Sequence, residues 1–100
     1  MEFSGKKVTV VGTGISGIGA VGLLNAVGAE VVLYDGNEKL KIEDIEKKLG
    51  TYKAEIVLGE LTKELTDSSD LLVISPGVPI DSPVVKAFEA AGVPVWGEVE

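Results

Sequence analysis

The chain has 100 residues, 45% of them hydrophobic, which is the size and composition of a single domain with one ordinary core. Its net charge of −7 disfavours nucleic-acid backbones, and it contains neither cysteine nor histidine. Disulfides, thiolate nucleophiles, cysteine metal sites and histidine general bases are therefore excluded. All nine basic residues are lysines, so a bound anion must be held mainly by backbone N–H groups and helix termini.

Targeting and membrane signals are also missing from the sequence. No apolar stretch approaches the length of about 20 residues that a membrane span needs. The charged segment 1–7 is not followed by the apolar region and cleavage site of a secretion signal. We therefore expect a cytoplasmic protein that does not contact a membrane. We also expect a monomer that does not bind nucleic acid.

The first half of the chain alternates strand and helix. A strand is predicted at Lys7–Val11, and the helix that follows at Ile15–Val27 is apolar almost all round and ends at Gly28. A Val-rich strand at Glu30–Tyr34 comes next. The second helix, Leu40–Leu49, places its isoleucines and its last leucine on a buried face and its charged side chains on a solvated face.

The second half continues the alternation. The predicted elements are a strand at Glu55–Leu58, a short helix at Leu61–Leu65 with Thr62 as its cap, a strand at Leu71–Ser75, a helix capped by Ser82 and ended by Gly92, and a strand at Val93–Trp96. Connections this short permit only right-handed crossovers. The sequence therefore predicts a Rossmann-like, doubly wound parallel sheet of five strands, ordered 3-2-1-4-5, with helices on both faces.

In such sheets ligands bind beyond the carboxyl ends of the strands, where the strand order reverses between strands 1 and 4. The first candidate segment at that edge is a G-x-G-x-x-G turn, Gly12-Thr13-Gly14-Ile15-Ser16-Gly17. Gly12 allows a tight turn, Gly14 lets a pyrophosphate approach the backbone, and Gly17, helped by Gly19 and Gly22, lets the helix lie close to the sheet.

The same turn opens a helix, which favours anion binding. The N–H groups near Ile15 and Ser16, with the positive end of the helix dipole, can hold a diphosphate without arginine, and the Ser16 hydroxyl can add a donor. The alternative is that the glycines serve close packing alone.

Two further segments lie at this edge. Asp35, about 20 residues beyond the glycine motif, is placed to accept hydrogen bonds from a ribose or a base edge. Asp35-Gly36-Asn37 is equally good turn chemistry, so a purely local role is the alternative. Ser75-Pro76-Gly77-Val78-Pro79 is stiffened by two prolines, and a flat ring could lie against backbone at Gly77; Ser75 could instead only end the strand.

Together these motifs resemble the N-terminal domain of the Mur ligase family, and within it the members that add D-glutamate. That domain has a G-x-G-x-[ST]-G turn, matched at 12–17, and a second strand that ends in Asp, matched at 31–35. Its "[AS]-D-x-[VI]-[VI]-x-S-P-G-[IV]-P" segment is matched at 69–79, and its closing Gly-Glu-Val-Glu at 97–100. The resemblance covers the whole chain, and the last two segments are its most specific part.

The resemblance implies an enzyme that uses ATP and Mg²⁺ to activate the carboxylate of UDP-N-acetylmuramoyl-L-alanine as an acyl phosphate, which D-glutamate attacks. This is a step of peptidoglycan precursor synthesis, on which cell shape and division depend. Residues 1–100 would form one UDP-sugar-binding domain with no catalytic residue, metal or cofactor of its own. The ATPase and D-glutamate-binding domains would lie elsewhere in a longer chain.

The resemblance also assigns roles to residues. Ile15 and Ser16 would contact the diphosphate, Asp35 and Gly36 the uracil side, and the loop at 75–77 the opposite wall of the uracil slot. Some family members have Thr-Arg where this chain has Gly36-Asn37, which removes a possible cationic contact. The candidate site comprises Gly12, Thr13, Gly14, Ile15, Ser16, Gly17, Asp35, Gly36, Asn37, Ser75, Pro76 and Gly77.

Two other readings of the same residues stay open at this point. An NAD(H)-binding domain, from a dehydrogenase or a regulatory ligand-sensing module, would use the same turn and the same Asp35. The Ser-Pro-Gly-Val-Pro loop argues against it, since a nicotinamide site has no evident need for such a loop. A packing or interaction domain with an empty switch point is the third reading, and failure to bind any nucleotide would favour it.

Overall fold

Strands and helices alternate along the chain, as the apolar runs predict. The computed structural model describes residues 4–74 and 82–96, apart from the side chains of Ile15 and Ser16. The elements are β1 Lys7–Val11, α1 Ile15–Ala26, β2 Glu30–Asp35, α2 Ile42–Leu49, β3 Glu55–Leu58, α3 Lys63–Ser68, β4 Leu71–Ile74, α4 Pro83–Ala90 and β5 Val95–Trp96. None of the helices in these residues is long and apolar enough to cross a membrane.

The five strands form one parallel sheet in the order β3-β2-β1-β4-β5, which confirms the predicted topology. Val11, the last residue of β1, pairs with Tyr34 of β2 on one side and with Ile74 of β4 on the other. The carboxyl ends of these three strands are therefore level. The segments that follow β1 and β2 leave the sheet at the edge where the strand order reverses.

Each face of the sheet carries its own core. On the first face, Val21 and Leu24 of α1 and Ile45 and Leu49 of α2 pack against alternate residues of the strands, among them Val8, Val10, Val31, Leu33 and Leu71. On the second face, Leu65 of α3 and Val85 and Phe88 of α4 pack against Val11, Val32, Tyr34, Leu72 and Ile74. The nearly continuous apolar runs of the strands follow from this burial on both faces.

Several element ends differ from the sequence prediction. α3 runs over Lys63–Ser68 and so begins and ends later than the predicted Leu61–Leu65. Its beginning follows from the predicted cap, because the Thr62 side chain accepts a hydrogen bond from the Leu65 N–H at 3.3 Å. Ile42, predicted to face the core, is the first residue of α2 and stays 48% exposed. Ser82 occupies the N-cap position of α4 as predicted, yet its buried Oγ has no hydrogen-bond partner among the described residues.

The glycines of α1 have different environments from one another. Gly17 is buried, whereas a Cβ on Gly19 would meet no atom within 4 Å, and a Cβ on Gly22 would lie 2.6 Å from the Tyr52 ring. The prediction that Gly19 and Gly22 bring α1 close to the sheet is therefore wrong. Gly19 faces open space, and Gly22 makes room for an aromatic ring from the segment before β3.

Asn25 of α1 is tied to the backbone that leads into β3. Its Oδ1 accepts a hydrogen bond from the Lys53 N–H at 2.6 Å, and its Nδ2 donates to the Lys53 carbonyl at 2.9 Å. We expect Asn25→Ala to lower the free energy of unfolding by about 1–2 kcal/mol, since two hydrogen bonds are lost together. Urea denaturation would measure this, and Asn25→Asp should also be less stable than the wild type, because a carboxylate oxygen would replace the donor that faces the Lys53 carbonyl. Equal stability of all three proteins would contradict it.

Candidate functional site

The glycine turn leaves β1 at the level of the last residues of β2. Gly12 has a φ of 108°, in the region that favours glycine, and its N–H donates to the Tyr34 carbonyl at 2.8 Å. The hydrogen bonding between β1 and β2 therefore continues for one residue beyond the end of β1, and the chain then turns into α1. The predicted role of Gly12 in a tight turn is confirmed.

Gly14 lies beside open space. It is the N-cap residue of α1, with φ −76° and ψ −172°, a conformation that any residue adopts. A Cβ built at this position would meet no atom within 4 Å. No packing contact of the described residues therefore requires a glycine here, which weakens the alternative that the motif serves packing alone.

The first turn of α1 presents its N–H groups at this opening. The first intrahelical bond runs from the Ile18 N–H to the Gly14 carbonyl at 3.0 Å. The N–H groups of the three preceding residues have no acceptor within the helix, and glycine at the N-cap has no side chain to supply one. The first turn contains no acidic residue either. This helix end can therefore receive a negatively charged group.

Asp35 joins the glycine turn to the loop after β2. Its Oδ2 accepts from the Thr13 Oγ1 hydroxyl at 3.0 Å, and its Oδ1 accepts from the Asn37 N–H at 3.0 Å. Thr13 is buried, at 7% exposure, and its hydroxyl proton is used in this bond. The alternative of a local turn role for Asp35 is borne out, while its contact with a ligand stays a prediction. The structure adds a link to Thr13 that the motif alone does not indicate.

The turn role leaves the Asp35 carboxylate with unused acceptor capacity. A carboxylate offers about four lone-pair positions, and the two bonds just described use two of them. The side chain is half-buried, so the remaining positions can be reached. The two interpretations of Asp35, a turn residue and a ligand contact, are therefore compatible.

The rest of the loop after β2 is held by its own hydrogen bonds. Asn37 Oδ1 accepts from the Lys39 N–H at 3.0 Å, which occupies that oxygen. Gly36 is exposed. The backbone of Gly59, which follows β3, donates to the Asp35 carbonyl at 2.9 Å. The loop is consequently fixed on both sides of Gly36.

Tyr34 anchors the strand that carries Asp35. Its ring is 5% exposed, and its hydroxyl donates to the Gly59 carbonyl at 2.5 Å. Burial raises the pKa of Tyr34 above its ordinary value, and the negative charges of Asp35 and Glu60 raise it further. The neutral hydroxyl is thus the form that the folded chain favours.

Removing that hydroxyl should change both stability and its dependence on pH. We expect Tyr34→Phe to lower the free energy of unfolding by about 1–3 kcal/mol at pH 7, because the buried carbonyl loses its donor. Tyr34 ionises more readily in the unfolded chain, so wild-type stability should fall as pH rises above 10.0, the unperturbed value, toward the raised folded pKa. Tyr34→Phe should show a smaller alkaline loss in urea titrations. An identical loss in both proteins would contradict this assignment.

A cavity of about 520 Å³ lies between the glycine turn and α2. It is lined by Thr13, Lys39, Leu40, Lys41, Asp44, Ile45, Lys47 and Lys48. Four ammonium groups against one carboxylate make this a positive region in a chain whose net charge is −7. The prediction that the lysines of the second helix are solvated is correct for Lys41, Lys47 and Lys48, which are exposed. Sequence periodicity did not predict that these lysines line a cavity beside the glycine turn. The spacing of Lys41, Asp44 and Lys48, which places them on one helical face, was the available signal.

The remaining predicted residues adjoin β4. Ser75, Pro76 and Gly77 lie outside the described residues, directly after Ile74 at the end of that strand. Within 4–74 and 82–96, no three or more carboxylate, cysteine or histidine side chains converge as a metal site would require. What the described residues bring together is the glycine turn, the Asp35 loop and the lysine-lined cavity.

Comparison with known proteins gives a match over nearly the whole chain. The family described as "Mur ligase MurD-like, N-terminal domain" matches residues 6–97. The UDP-N-acetylmuramoylalanine--D-glutamate ligase of Lachnospira eligens is 62% identical over 100 residues, covering 100% of this chain and 22% of that ligase. The chain thus spans about a fifth of the length of the ligases it matches.

Solved structures share the fold at lower identity. Shikimate dehydrogenase from Aquifex aeolicus superposes with a TM-score of 0.64 at 16% identity, over 96% of this chain and 43% of that one. Thermococcus litoralis Delta(1)-pyrroline-2-carboxylate reductase, in complex with NADH and L-proline, gives a TM-score of 0.50 at 29% identity, over 75% of this chain and 24% of that one. The first likeness concerns the fold alone. The match over residues 6–97 is specific, and it shows that the chain belongs to the family of MurD-like N-terminal domains of Mur ligases.

Proposed function

We propose that this chain is the substrate-binding domain of an ATP-dependent ligase that joins D-glutamate to UDP-N-acetylmuramoyl-L-alanine. The observation that carries the proposal is the open, uncapped helix end at Gly14, at the switch point of a domain whose family is that of the ligase. Pyrophosphates bind at this place in doubly wound folds. A UDP-sugar has such a diphosphate, flanked by a base and a sugar.

Each part of the site has a proposed partner in the ligand. The N–H groups of Ile15, Ser16 and Gly17 hold the diphosphate, and the lysine-lined cavity adds positive potential beside it. Asp35 and Gly36 lie on the uracil side, where the free acceptor positions of the carboxylate can meet N–H or hydroxyl donors. Ser75, Pro76 and Gly77 form the opposite wall. Gly12 and Thr13 shape the turn, and Asn37 holds the loop.

This domain binds and orients, and the chemistry takes place elsewhere in the ligase. ATP and Mg²⁺ belong to the other domains of the full-length chain. Holding the UDP part fixes the distant carboxylate of the substrate relative to those domains. Such positioning lowers the entropic part of the activation barrier. A cytoplasmic location and a monomeric state remain predictions.

An NAD(H)-binding module is the second candidate. The observation that favours it is the likeness to the Thermococcus litoralis reductase, which was solved with NADH. Asp35 could accept hydrogen bonds from an adenosine ribose in the same position. The family match over residues 6–97 favours the ligase, and so does the Ser-Pro-Gly-Val-Pro loop.

A chimera tests the proposal directly. The chain would replace the corresponding N-terminal residues of the Lachnospira eligens ligase, and D-glutamate-dependent phosphate release would be measured. We expect the chimera to retain activity and to lose it when Gly14→Val is introduced. A folded chimera that binds ATP but forms no product, beside an active parent enzyme, would contradict the proposal.

A further inference from the structure

The charged side chains of α2 are divided between two sides of the helix. A rotation of roughly 100° per residue puts Lys41, Asp44 and Lys48 on one flank. Glu43 and Glu46 lie on the opposite flank, roughly 150° from the two lysines. The flank with the lysines lines the cavity of about 520 Å³ beside the glycine turn, and neither glutamate does so. The helix therefore turns positive charge toward the cavity and negative charge away from it.

Four of the nine lysines of the chain converge on this cavity. Lys47 joins the two on the flank of α2, and Lys39 comes from the loop after β2, where its N–H donates to Asn37 Oδ1 at 3.0 Å. All four side chains are exposed. Among the residues that the structure describes, none of the four ammonium groups is held in an ion pair. Their charges are therefore available to an approaching ligand.

The carboxylates near the cavity do not cancel this charge. Asp44 is the one carboxylate among the described lining residues, and Asp35 adjoins the cavity through its 3.0 Å hydrogen bond with Thr13. The side chain of Glu38 lies instead beside Gly59, after β3. Two negative charges thus stand against four positive ones. The cavity is a positive region on a chain whose net charge is −7.

The cavity adjoins the helix end that is proposed to receive the diphosphate. Thr13 lines the cavity and directly precedes Gly14, the N-cap residue of α1. Consecutive Cα atoms are about 3.8 Å apart, whereas the Debye length at physiological ionic strength is about 8 Å. The edge of the cavity therefore lies within one Debye length of that helix end, so salt does not fully screen the two from each other.

The chemistry of lysine favours attraction at a distance over a fixed contact. Its ammonium group is a strongly hydrated point charge on a flexible stem, and fixing that stem costs side-chain entropy. An arginine could clamp a phosphate through two parallel hydrogen bonds, but this chain has no arginine. Exposed charges at the rim of a binding site change mainly the association rate and its dependence on salt.

We propose that the lysine-lined cavity is an electrostatic entry site, which attracts nucleoside diphosphates to the glycine turn and sets the rate at which they bind. The inference rests on the proposed function, because it takes the end of α1 at Gly14 as the place that receives the diphosphate. A net charge of −7 would otherwise repel such an anion. Clefts lined by charges of one sign raise association rates by about 10- to 1,000-fold.

The test compares two variants that lose the same number of positive charges. The entry-site variant carries Lys39→Gln, Lys41→Gln, Lys47→Gln and Lys48→Gln. The control variant carries the same substitution at four exposed lysines outside the cavity, which are Lys6, Lys53, Lys63 and Lys86. Line shapes of the Gly14 to Gly17 amide signals, in an NMR titration with UDP-N-acetylmuramoyl-L-alanine, would give the association and dissociation rate constants.

The two variants should differ in association and not in dissociation. At an ionic strength of about 0.01 M, we expect the entry-site variant to associate at least tenfold more slowly than the control variant. The dissociation rate constants should agree within about twofold. At an ionic strength of about 1 M, where the Debye length is about 3 Å, the difference in association should disappear.

Asp44→Asn should change the association rate in the opposite direction. The substitution removes a negative charge from the cavity and keeps the size of the side chain, so association at low ionic strength should become roughly twofold faster. Asp67→Asn is the matched control. Asp67 is an exposed aspartate of α3, a helix whose Leu65 packs on the second face of the sheet, and its substitution should leave the rate nearly unchanged.

Other outcomes would overturn the proposal. Equal association rates in the entry-site and control variants would mean that only the net charge of the chain acts. Faster dissociation at an unchanged association rate would mean that the lysines hold the ligand by direct contact. Either result, obtained with saturable shifts at Gly14 to Gly17, would contradict this inference and leave the proposed function intact. If no protein showed a saturable shift there, the proposed function would be contradicted, and this inference with it.

Discussion

Gly14→Val should abolish binding of a nucleotide diphosphate while the chain remains folded. The backbone of Gly14 already has a conformation open to valine, and the space beside it is empty of protein atoms within 4 Å. In the liganded domain the valine methyl groups would occupy the approach to the N–H groups of the first helical turn. We expect affinity to fall at least a hundredfold, on the order of 3 kcal/mol. Stability should fall by no more than about 1 kcal/mol, because valine is a poor N-cap residue.

Gly19→Val is the matched control for this experiment. Gly19 belongs to the same helix, and a Cβ there would likewise meet no atom within 4 Å. The control should bind like the wild-type chain in isothermal titration with UDP-N-acetylmuramoyl-L-alanine. Gly12 is unsuitable, since its φ of 108° would strain any other residue and unfold part of the turn. Full-strength binding by Gly14→Val would mean that the turn does not receive the diphosphate.

Asp35→Ala should weaken both the fold and the binding of the UDP ligand. We expect affinity to fall by about 1.5–3 kcal/mol if the carboxylate accepts hydrogen bonds from the ligand. Stability should fall by about 1–3 kcal/mol, because the Thr13 hydroxyl and the Asn37 N–H lose their acceptor. The alanine variant alone cannot separate these two effects.

Asp35→Asn separates them. The amide oxygen can still accept from the Asn37 N–H, and the Thr13 hydroxyl can rotate to accept from the amide NH₂. Stability in urea should stay close to that of the wild type, while ligand affinity falls with the lost charge and acceptor.

Asp70→Ala is the control variant that should lose stability but not ligand affinity. Asp70 Oδ2 accepts from the Lys7 N–H at 2.9 Å where β4 and β1 begin, at the far end of the sheet. Its removal should lower stability and leave affinity unchanged. If Asp35→Asn bound the UDP ligand as tightly as the wild-type chain, the role of Asp35 would be confined to the loop.

The sheet could be predicted from sequence because its determinants are local. Five short apolar runs with brief connections permit few topologies, and right-handed crossovers leave the observed order. The glycine turn was located for the same reason, since it follows a strand directly and opens a helix. The role of Gly12 and the cap at Thr62 likewise depend on neighbouring residues only.

Contacts between distant segments were not predictable in this way. The Thr13–Asp35 hydrogen bond joins residues 22 apart and follows from the register that pairs Val11 with Tyr34. The Tyr52 ring against Gly22 depends on where the chain runs after α2. Sequence periodicity predicts the face of a helix or strand on which a side chain lies. It does not predict which distant segment packs against that face. The lysine-lined cavity was missed for that reason.

We propose that this domain holds a UDP-sugar at the edge formed by β1, β2 and β4. The most direct test is an amide-shift NMR titration with UDP-N-acetylmuramoyl-L-alanine, run beside a titration with NADH. We expect saturable shifts at Gly14 to Gly17, at Asp35 and at Ser75 to Gly77 with the UDP-sugar, and none with NADH. The same shifts with NADH alone would contradict it and assign the chain to the dinucleotide-binding domains.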